Sequence, residues 1–238
     1  MNRRLLLLSN SRDAEGRYLH HAQRSIRAFL GARVRSVLLV PFAGVTVSWD
    51  DYAAHVREAF AGMDYELTSV HAVDDHLDAM RTAQAIVVGG GNTFHLLAHL
   101  YETGLLDVIR ERVNAGVPYV GWSAGSVVAC PSIRTTNDMP IVEPPSLAAL
   151  GLVPFQVNAH YTDFHPAGFQ GETRAQRIAE FLVANPTMRV VGLPEGTMLQ
   201  VERDRVSVLG DGAAKVFAAG RATRDVAHSE SLEFLLEA

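Results

Sequence analysis

A short apolar run at residues 117–120 leads directly into the sequence GWSAG at residues 121–125, and small residues follow as far as Cys130. A G-x-S-x-G sequence after a strand is typical of a nucleophile elbow, where the serine lies on a sharp strand-to-helix turn and projects above the sheet. The flanking glycines tolerate the strained backbone that such a turn requires. The stretch therefore predicts a strand-turn-helix unit with Ser123 at its tip, and this context favours a catalytic serine over a packing motif.

Strand-length apolar runs alternate with amphipathic stretches through the first 130 residues. Strands are predicted at residues 5–8, 37–40, 67–70, 85–88 and 117–120, and helices at residues 19–30, 50–60, 74–81 and 94–100. Continuous apolar runs are typical of strands that are buried on both faces. The alternation predicts an α/β fold with a mostly parallel sheet and helices on both faces.

The second half of the chain continues with a strand at residues 152–157, a helix at residues 172–182 and a strand at residues 189–193. Three further apolar runs at residues 198–201, 206–209 and 216–218 are separated by turn sequences, which predicts an antiparallel meander that completes the sheet. No linker, repeat or low-complexity tract interrupts the chain. We therefore expect residues 1–238 to form a single domain.

Charge and cysteine content exclude several classes of function. The net charge is −5 and the arginines are scattered, so neither a nucleic acid nor a membrane surface is an expected partner. Lys215 is the only lysine, which argues against Schiff-base chemistry and a phosphate-binding P-loop. The single cysteine, Cys130, cannot form an internal disulfide, and the leucines at residues 5–8 are too few for a signal peptide or membrane span. A cytoplasmic location is the resulting expectation.

Three glycines at residues 89–91 follow the fourth predicted strand and precede a helix. They allow close approach of a ligand to backbone amides that point at an anion or a developing oxyanion. The loop has neither a P-loop lysine nor the G-x-G-x-x-G spacing of a dinucleotide fold, so the oxyanion role is favoured over a phosphate cradle. We predict that the amides of Gly90 or Gly91 and of Ala124 form the oxyanion hole.

A serine nucleophile needs a base within hydrogen-bond reach, and the base needs an orienting carboxylate. Among the ten histidines, His160 is favoured because it follows a strand and should lie at the same sheet edge as Ser123. His165 is a nearby competitor. The residues alone leave the acid open between Asp138 and Glu195, because both lie in loops expected at this edge.

One further histidine pair, His95 and His99, has the i, i+4 spacing of two metal ligands on a helix. The intervening sequence lacks the glutamate of an H-E-x-x-H zinc motif. A structural role is therefore favoured over a metal pair.

Seven motifs in fixed order together resemble peptidase E, the aspartyl dipeptidase family. They are LLLLSNS at residues 5–11, PFAGVT at 41–46, GGGNTF at 89–94, GWSAG at 121–125, IRTTNDMP at 133–140, GETR at 171–174 and GLPEG at 192–196. The resemblance implies a flavodoxin-like fold related to class I glutamine amidotransferases. It also implies a cytoplasmic serine dipeptidase that hydrolyses Asp-X dipeptides without a cofactor. Ser123 matches the family's nucleophile and His160 its base, and the family's pattern ranks Asp138 ahead of Glu195 as the acid.

Substrate contacts are predicted within the same motifs. Arg174 is expected to bind the aspartate side chain, since a guanidinium can pair with a carboxylate bidentately, and Arg134 is the next candidate. Contacts to the substrate are also predicted for Asn92, Thr136 and Asn137. The sequence departs from the family at His95, where glutamine is expected, and at residues 161–170, and both departures bear on substrate preference.

Two other functions stay open at this stage. One is a cyanophycinase-like hydrolase of β-aspartyl peptides, and the other is a non-enzymatic module that binds small anions through the triglycine loop. The sequence also leaves open whether the chain forms a homodimer.

Overall fold

A computed structural model describes residues 2–168, 170–228 and 230–237 of the chain. Within these ranges the strands are β1 (Arg4–Leu8), β2 (Ser36–Val40), β3 (Glu66–Ser69), β4 (Ile86–Val88), β5 (Tyr119–Trp122), β6 (Gln156–Ala159), β7 (Arg189–Leu193), β8 (Thr197–Glu202), β9 (Arg205–Gly210), β10 (Ala214–Ala218) and β11 (Arg224–Val226). The α-helices are α1 (Gln23–Leu30), α2 (Trp49–Ala61), α3 (His76–Thr82), α4 (Thr93–Glu102), α5 (Leu105–Asn114), α6 (Ala124–Val127) and α7 (Arg174–Ala184).

The larger sheet has seven strands in the order β3-β2-β4-β5-β1-β8-β9. Strands β1 to β5 are parallel, and β8 and β9 are antiparallel to their neighbours. The four leucines that end β1 are fully buried, which explains why this strand is a continuous apolar run. Trp122 pairs with Leu8 at the carboxyl ends of β5 and β1, so the loops after these two strands leave the sheet side by side.

A second sheet has the order β11-β10-β7-β6, with β6 and β7 parallel and β10 antiparallel to β7. The prediction of a single meander is therefore wrong in one respect, because β8 and β9 extend the larger sheet whereas β10 joins the second. Backbone groups on a buried strand require partners. Strand β8 already pairs with β1 and with β9, while β10 pairs the edge of β7 that β6 leaves open.

The apolar core is layered around the two sheets. The largest cluster joins both sheets through α4, α5 and α6, with Val88, Val157 and Val216 among its members. A second cluster packs α1 and α2 against the opposite face of the larger sheet, and a third packs α7 against the second sheet. The predicted fold class, a mostly parallel α/β sheet with helices on both faces, is confirmed.

Several boundaries differ from the predictions. Helix α5 and strand β11 were not predicted, and β6 begins at Gln156 instead of residue 152. Leu152, Val153 and Phe155 are buried without being part of a strand, so their apolar character reflects burial alone. None of the helices in the described ranges has the length and apolar character needed to cross a membrane.

Candidate active site

Ser123 lies at the junction of β5 and α6 with φ 52° and ψ −114°, in a region that residues other than glycine rarely adopt. Its amide donates to the Leu8 carbonyl at the end of β1 (3.1 Å). A Cβ atom at Gly125 would lie 2.1 Å from the Val88 carbonyl oxygen, so only glycine fits where the turn crosses β4. The G-x-S-x-G sequence therefore corresponds to a tight turn that holds the serine in a strained conformation.

His160 follows β6 and also has a positive φ, 53°. Its Nε2 atom is 2.9 Å from Ser123 Oγ and its Nδ1 atom is 2.8 Å from Glu195 Oε1. When the ring proton is on Nδ1, the Ser123 hydroxyl donates to Nε2 and Nδ1–H donates to the Glu195 carboxylate. The three side chains thus form one continuous hydrogen-bonded series across loops that follow β5, β6 and β7.

Backbone contacts fix the two loops that carry the base and the acid. Ser9, just after β1, accepts from the His160 amide (2.9 Å) and donates to the Leu193 carbonyl (2.7 Å). Asn10 accepts from the Gly196 amide (2.8 Å). Sequence reasoning missed both contributions, although the SNS sequence after the first strand lies at the same sheet edge and was a usable signal.

Asp138, which the family's pattern ranks first as the orienting acid, would have to bond to His160 in that role, but its partner is Thr93. Its Oδ2 atom accepts from the Thr93 amide (2.8 Å) and the Thr93 hydroxyl (2.5 Å). Thr93 is the first residue of α4, where the helix dipole and free amides attract a carboxylate. In the part of the chain that the structure describes, Asp138 makes no hydrogen bond to His160, and Glu195 is the carboxylate on Nδ1.

Three backbone amides next to Ser123, those of Gly90, Gly91 and Ala124, have no hydrogen-bond acceptor among the described residues. A Cβ atom at Gly90 would lie 3.0 Å from Ser123 Cβ, which shows how closely this loop approaches the serine. Gly91 has φ 144°, and a Cβ atom there would lie 2.1 Å from the Ala43 carbonyl oxygen. Unpaired amides that are held beside a nucleophile are suitable donors for a developing oxyanion.

Tyr52 supports the glycine loop from α2. Its hydroxyl donates to the Gly90 carbonyl (3.1 Å) and accepts from Trp122 Nε1 (3.2 Å). The sequence carries no signal for this contact, because a tyrosine on the buried face of a helix is ordinarily a core residue.

Two cavities adjoin Ser123, and both are also lined by Asp138 and His160. The smaller has a volume of about 240 Å³ and is lined by Arg174, the first residue of α7. Arg174 is half-buried and has no ion-pair partner within the described ranges. Desolvation lowers the pKa of its guanidinium, with a smaller contribution from Arg177, whereas Asp138 acts in the opposite direction.

The larger cavity has a volume of about 660 Å³. It extends from Gly90 and Gly91 toward the loop after β1 and the start of α2, which contribute Ser11 and Tyr52 to its lining. Ser123 thus lines both a small cavity and a larger one.

Of the other residues predicted to contact the substrate, two line a cavity beside Ser123 and two do not. Thr136 and Asn137 line the smaller cavity. Asn92 lines neither cavity, because its side chain caps α4 at the His95 amide (3.0 Å) and donates to the Met139 carbonyl (2.9 Å). Arg134 is exposed and also lines neither cavity.

The remaining histidines of interest lie outside the hydrogen-bonded series. His165 bonds to the Gly171 carbonyl (2.9 Å). His95 bonds to the Phe42 carbonyl (2.6 Å) through Nδ1, and its ring contacts that of His99 at 4.4 Å between centroids. Among the residues that the structure describes, no group of three or more histidine, cysteine or acidic side chains is arranged to hold a metal ion.

Comparisons with known proteins agree with the sequence motifs. The model of peptidase family S51 matches residues 5–209. The chain is 48% identical over 237 residues to peptidase E from Nostoc sp., covering 100% of this chain and 98% of that protein. It is also 48% identical over 236 residues to peptidase E from Shewanella amazonensis, covering 99% and 100%. The crystal structure of a peptidase from an acI-B1 Actinobacterium has the same fold, with a TM-score of 0.71, 19% identity and coverage of 98% and 97%.

Proposed function

The chain belongs to peptidase family S51, and from this membership we propose that it is a serine dipeptidase that hydrolyses dipeptides with an N-terminal aspartate. The observation that carries the proposal is the hydrogen-bonded series from Ser123 through His160 to Glu195, beside a small cavity lined by an unpaired arginine. Relatives at 48% identity that are named peptidase E support the same activity.

The proposed reaction is acyl transfer through Ser123. His160 accepts the Ser123 proton through Nε2 as Oγ attacks the scissile carbonyl carbon. Glu195 holds the Nδ1 proton and stabilises the imidazolium that forms. The amides of Ala124 and of Gly90 or Gly91 bind the oxyanion. His160 then donates its proton to the leaving amine, and a water molecule activated by His160 hydrolyses the acyl-enzyme.

Recognition of the N-terminal residue requires one cation and one anion, because aspartate carries a β-carboxylate and a free α-ammonium group. We assign the β-carboxylate to Arg174, whose unpaired guanidinium lines the small cavity. We assign the α-ammonium group to Asp138, which lines the same cavity and whose Oδ1 atom accepts no hydrogen bond within the described residues. Thr136 and Asn137 complete the wall of this site.

The proposal also includes a single domain and a cytoplasmic location. Residues from both sheets share the largest core cluster, which supports one domain over residues 1–238. The free cysteine Cys130 is buried and burial raises its pKa to about 12, which makes it an inert thiol compatible with a reducing compartment. We therefore propose the cytoplasm as the location.

The substrate assignment is tested with four peptides: Asp-Leu, Asn-Leu, Ala-Leu and β-Asp-Leu. We expect the wild type to prefer Asp-Leu by about 10³ in kcat/KM, since a neutral side chain would leave the half-buried arginine unmatched. Arg174→Leu should lose most of this preference. Arg177→Leu is the matched control one turn along α7, because Arg177 is exposed and pairs with Glu172 (3.7 Å).

Three outcomes would contradict the proposal. Preferential cleavage of β-Asp-Leu would favour the cyanophycinase-like alternative. Absence of cleavage of all four peptides would favour the anion-binding module. Equal losses in Arg174→Leu and Arg177→Leu would show that Arg174 has no specific role in selecting aspartate.

A further inference from the structure

A second arginine, Arg12, lines the larger of the two cavities beside Ser123. It lies in the loop after β1, where Arg12 and Tyr18 form an isolated antiparallel bridge. Its Nη1 atom donates to the Gly16 carbonyl (2.8 Å), and its guanidinium carbon is 5.6 Å from the centre of the Tyr18 ring. Arg12 is exposed, and these two contacts restrain its guanidinium beside the cavity.

Arg12 forms no ion pair with any residue that the structure describes. Asp13, its neighbour in the sequence, and the two carboxylates that line the same cavity, Asp51 and Asp138, each have another hydrogen-bond partner. Asp13 is paired with Arg17 (2.8 Å), and Asp51 accepts from the Ser48 hydroxyl (2.7 Å) within the first turn of α2. A guanidinium has five N–H donors, so most of those on Arg12 are available to a carboxylate.

The two arginines lie in different cavities that meet at Ser123. Arg174 lines the cavity of about 240 Å³ and Arg12 the cavity of about 660 Å³. An Asp-X dipeptide likewise has two carboxylates on opposite sides of its scissile bond, the β-carboxylate of aspartate and the C-terminal carboxylate of X. When the aspartyl residue occupies the Arg174 cavity, the leaving residue must extend from Ser123 into the other one.

We propose that Arg12 binds the C-terminal carboxylate of the leaving residue and thereby selects dipeptides over longer or C-terminally blocked peptides. This assignment rests on the proposed function. In a tripeptide the terminal carboxylate lies one residue farther from the scissile bond, about 3.3–3.6 Å beyond its place in a dipeptide. An arginine that lines the same cavity as Ser123 and is restrained by Gly16 and Tyr18 would therefore favour the shorter substrate.

The rest of the larger cavity explains how the leaving side chain can vary. Val47, Tyr18, Tyr52 and His55 contribute to its lining. The Tyr18 hydroxyl donates to that of Tyr52 (3.2 Å), which in turn donates to the Gly90 carbonyl. Burial raises the pKa of both phenols, so both rings stay neutral at physiological pH. Val47 and the two tyrosine rings give this part of the cavity a largely apolar wall that suits many side chains, and the carboxylate contact supplies the specificity.

The proposal is tested by measuring kcat and KM for Asp-Leu, Asp-Leu-amide and aspartic acid α-(p-nitroanilide). The last two substrates lack the C-terminal carboxylate. We expect the wild type to favour Asp-Leu over its amide by about tenfold or more in kcat/KM, the value of one charge-assisted contact. In Arg12→Gln the preference should fall to about one, mainly through a higher KM for Asp-Leu. The control Arg17→Gln removes an exposed arginine of the same loop that pairs with Asp13.

The outcomes separate this inference from the function on which it rests. If Arg12→Gln keeps the wild-type preference for Asp-Leu, or loses activity equally on all three substrates, the assignment of Arg12 is overturned while the dipeptidase activity stands. If the wild type cleaves both Asp-Leu and its amide equally well, only the assignment of Arg12 fails. If the wild type cleaves none of the three substrates, the proposed function fails and the assignment of Arg12 fails with it.

Discussion

Two loops bring a carboxylate to the same site, and they hold it in opposite ways. Glu195 follows β7, its side chain is 67% exposed, and its described side-chain partner is His160. Asp138 is half-buried and accepts two hydrogen bonds from Thr93 at the start of α4. In the proposed reaction Glu195 acts through His160, whereas Asp138 lines both cavities beside Ser123. Two carboxylates at one site therefore take different proposed roles according to their hydrogen-bond partners.

The largest loss of activity is expected for Glu195→Gln, the variant of the carboxylate that bonds to His160. An amide can present the wrong hydrogen-bonding group to Nδ1 and favour the wrong histidine tautomer. Loss of a buried triad carboxylate in this way lowers kcat by about 10⁴, and we expect about 10³ here because solvent screens the exposed Glu195. Steady-state kinetics with Asp-Leu should show the loss in kcat with little change in KM. Glu172→Gln, which alters an exposed glutamate paired with Arg177, is the control.

Asp138→Asn should lower activity less than Glu195→Gln and should act on KM instead of kcat. Asparagine can still accept from Thr93, but it loses the charge that we assign to the α-ammonium group of the substrate. A hydrogen bond to a charged group contributes about 1.5–3 kcal/mol, which corresponds to roughly a tenfold to hundredfold rise in KM. Asp163→Asn is a suitable control, because Asp163 bonds to Tyr161 and Lys215 and lines neither cavity. A loss confined to kcat would return Asp138 to the role of orienting acid.

The smallest effect is expected for Thr93→Val, which removes one of the two hydrogen bonds to Asp138 and keeps the amide. Thr93 would act on the substrate only through Asp138, so only part of the contribution of a hydrogen bond to a charged group, about 1.5–3 kcal/mol, should reach KM, which should rise roughly twofold to tenfold for Asp-Leu. Thr93→Ser keeps the hydroxyl and should restore the wild-type KM. An unchanged KM in Thr93→Val together with a reduced kcat would mean that Thr93 supports the catalytic series instead of the substrate site.

The parallel strands could be predicted from the sequence because each is a short, continuous run of apolar residues. Strands β1, β2 and β4 each coincide with a buried run that ends at a loop. The distribution of the last strands could not be predicted in the same way. Apolar alternation places a residue inward, but it does not specify which sheet edge a strand will pair, and β10 lies beside β7 through contacts distant in sequence.

The same distinction applies to the site. The proximity of Ser123 and His160 (2.9 Å) could be predicted because each follows a strand that ends at one sheet edge, a property that sequence order conveys. The choice between Asp138 and Glu195 depends on side-chain direction across three loops, and the first-ranked acid has Thr93 as its partner. The sequence also could not show that Asn92 caps α4, since a helix cap and a substrate contact can use the same residue type at this position.

The most direct test of the account is the rate at which a small uncharged fluorophosphonate labels Ser123. This reaction uses the nucleophile, the base and its orienting acid, but it requires no contact to an ammonium group or a carboxylate. We predict that Glu195→Gln labels much more slowly than the wild type, that His160→Ala shows almost no labelling, and that Asp138→Asn labels at the wild-type rate. Slow labelling of Asp138→Asn combined with normal labelling of Glu195→Gln would contradict the assignment of the two carboxylates.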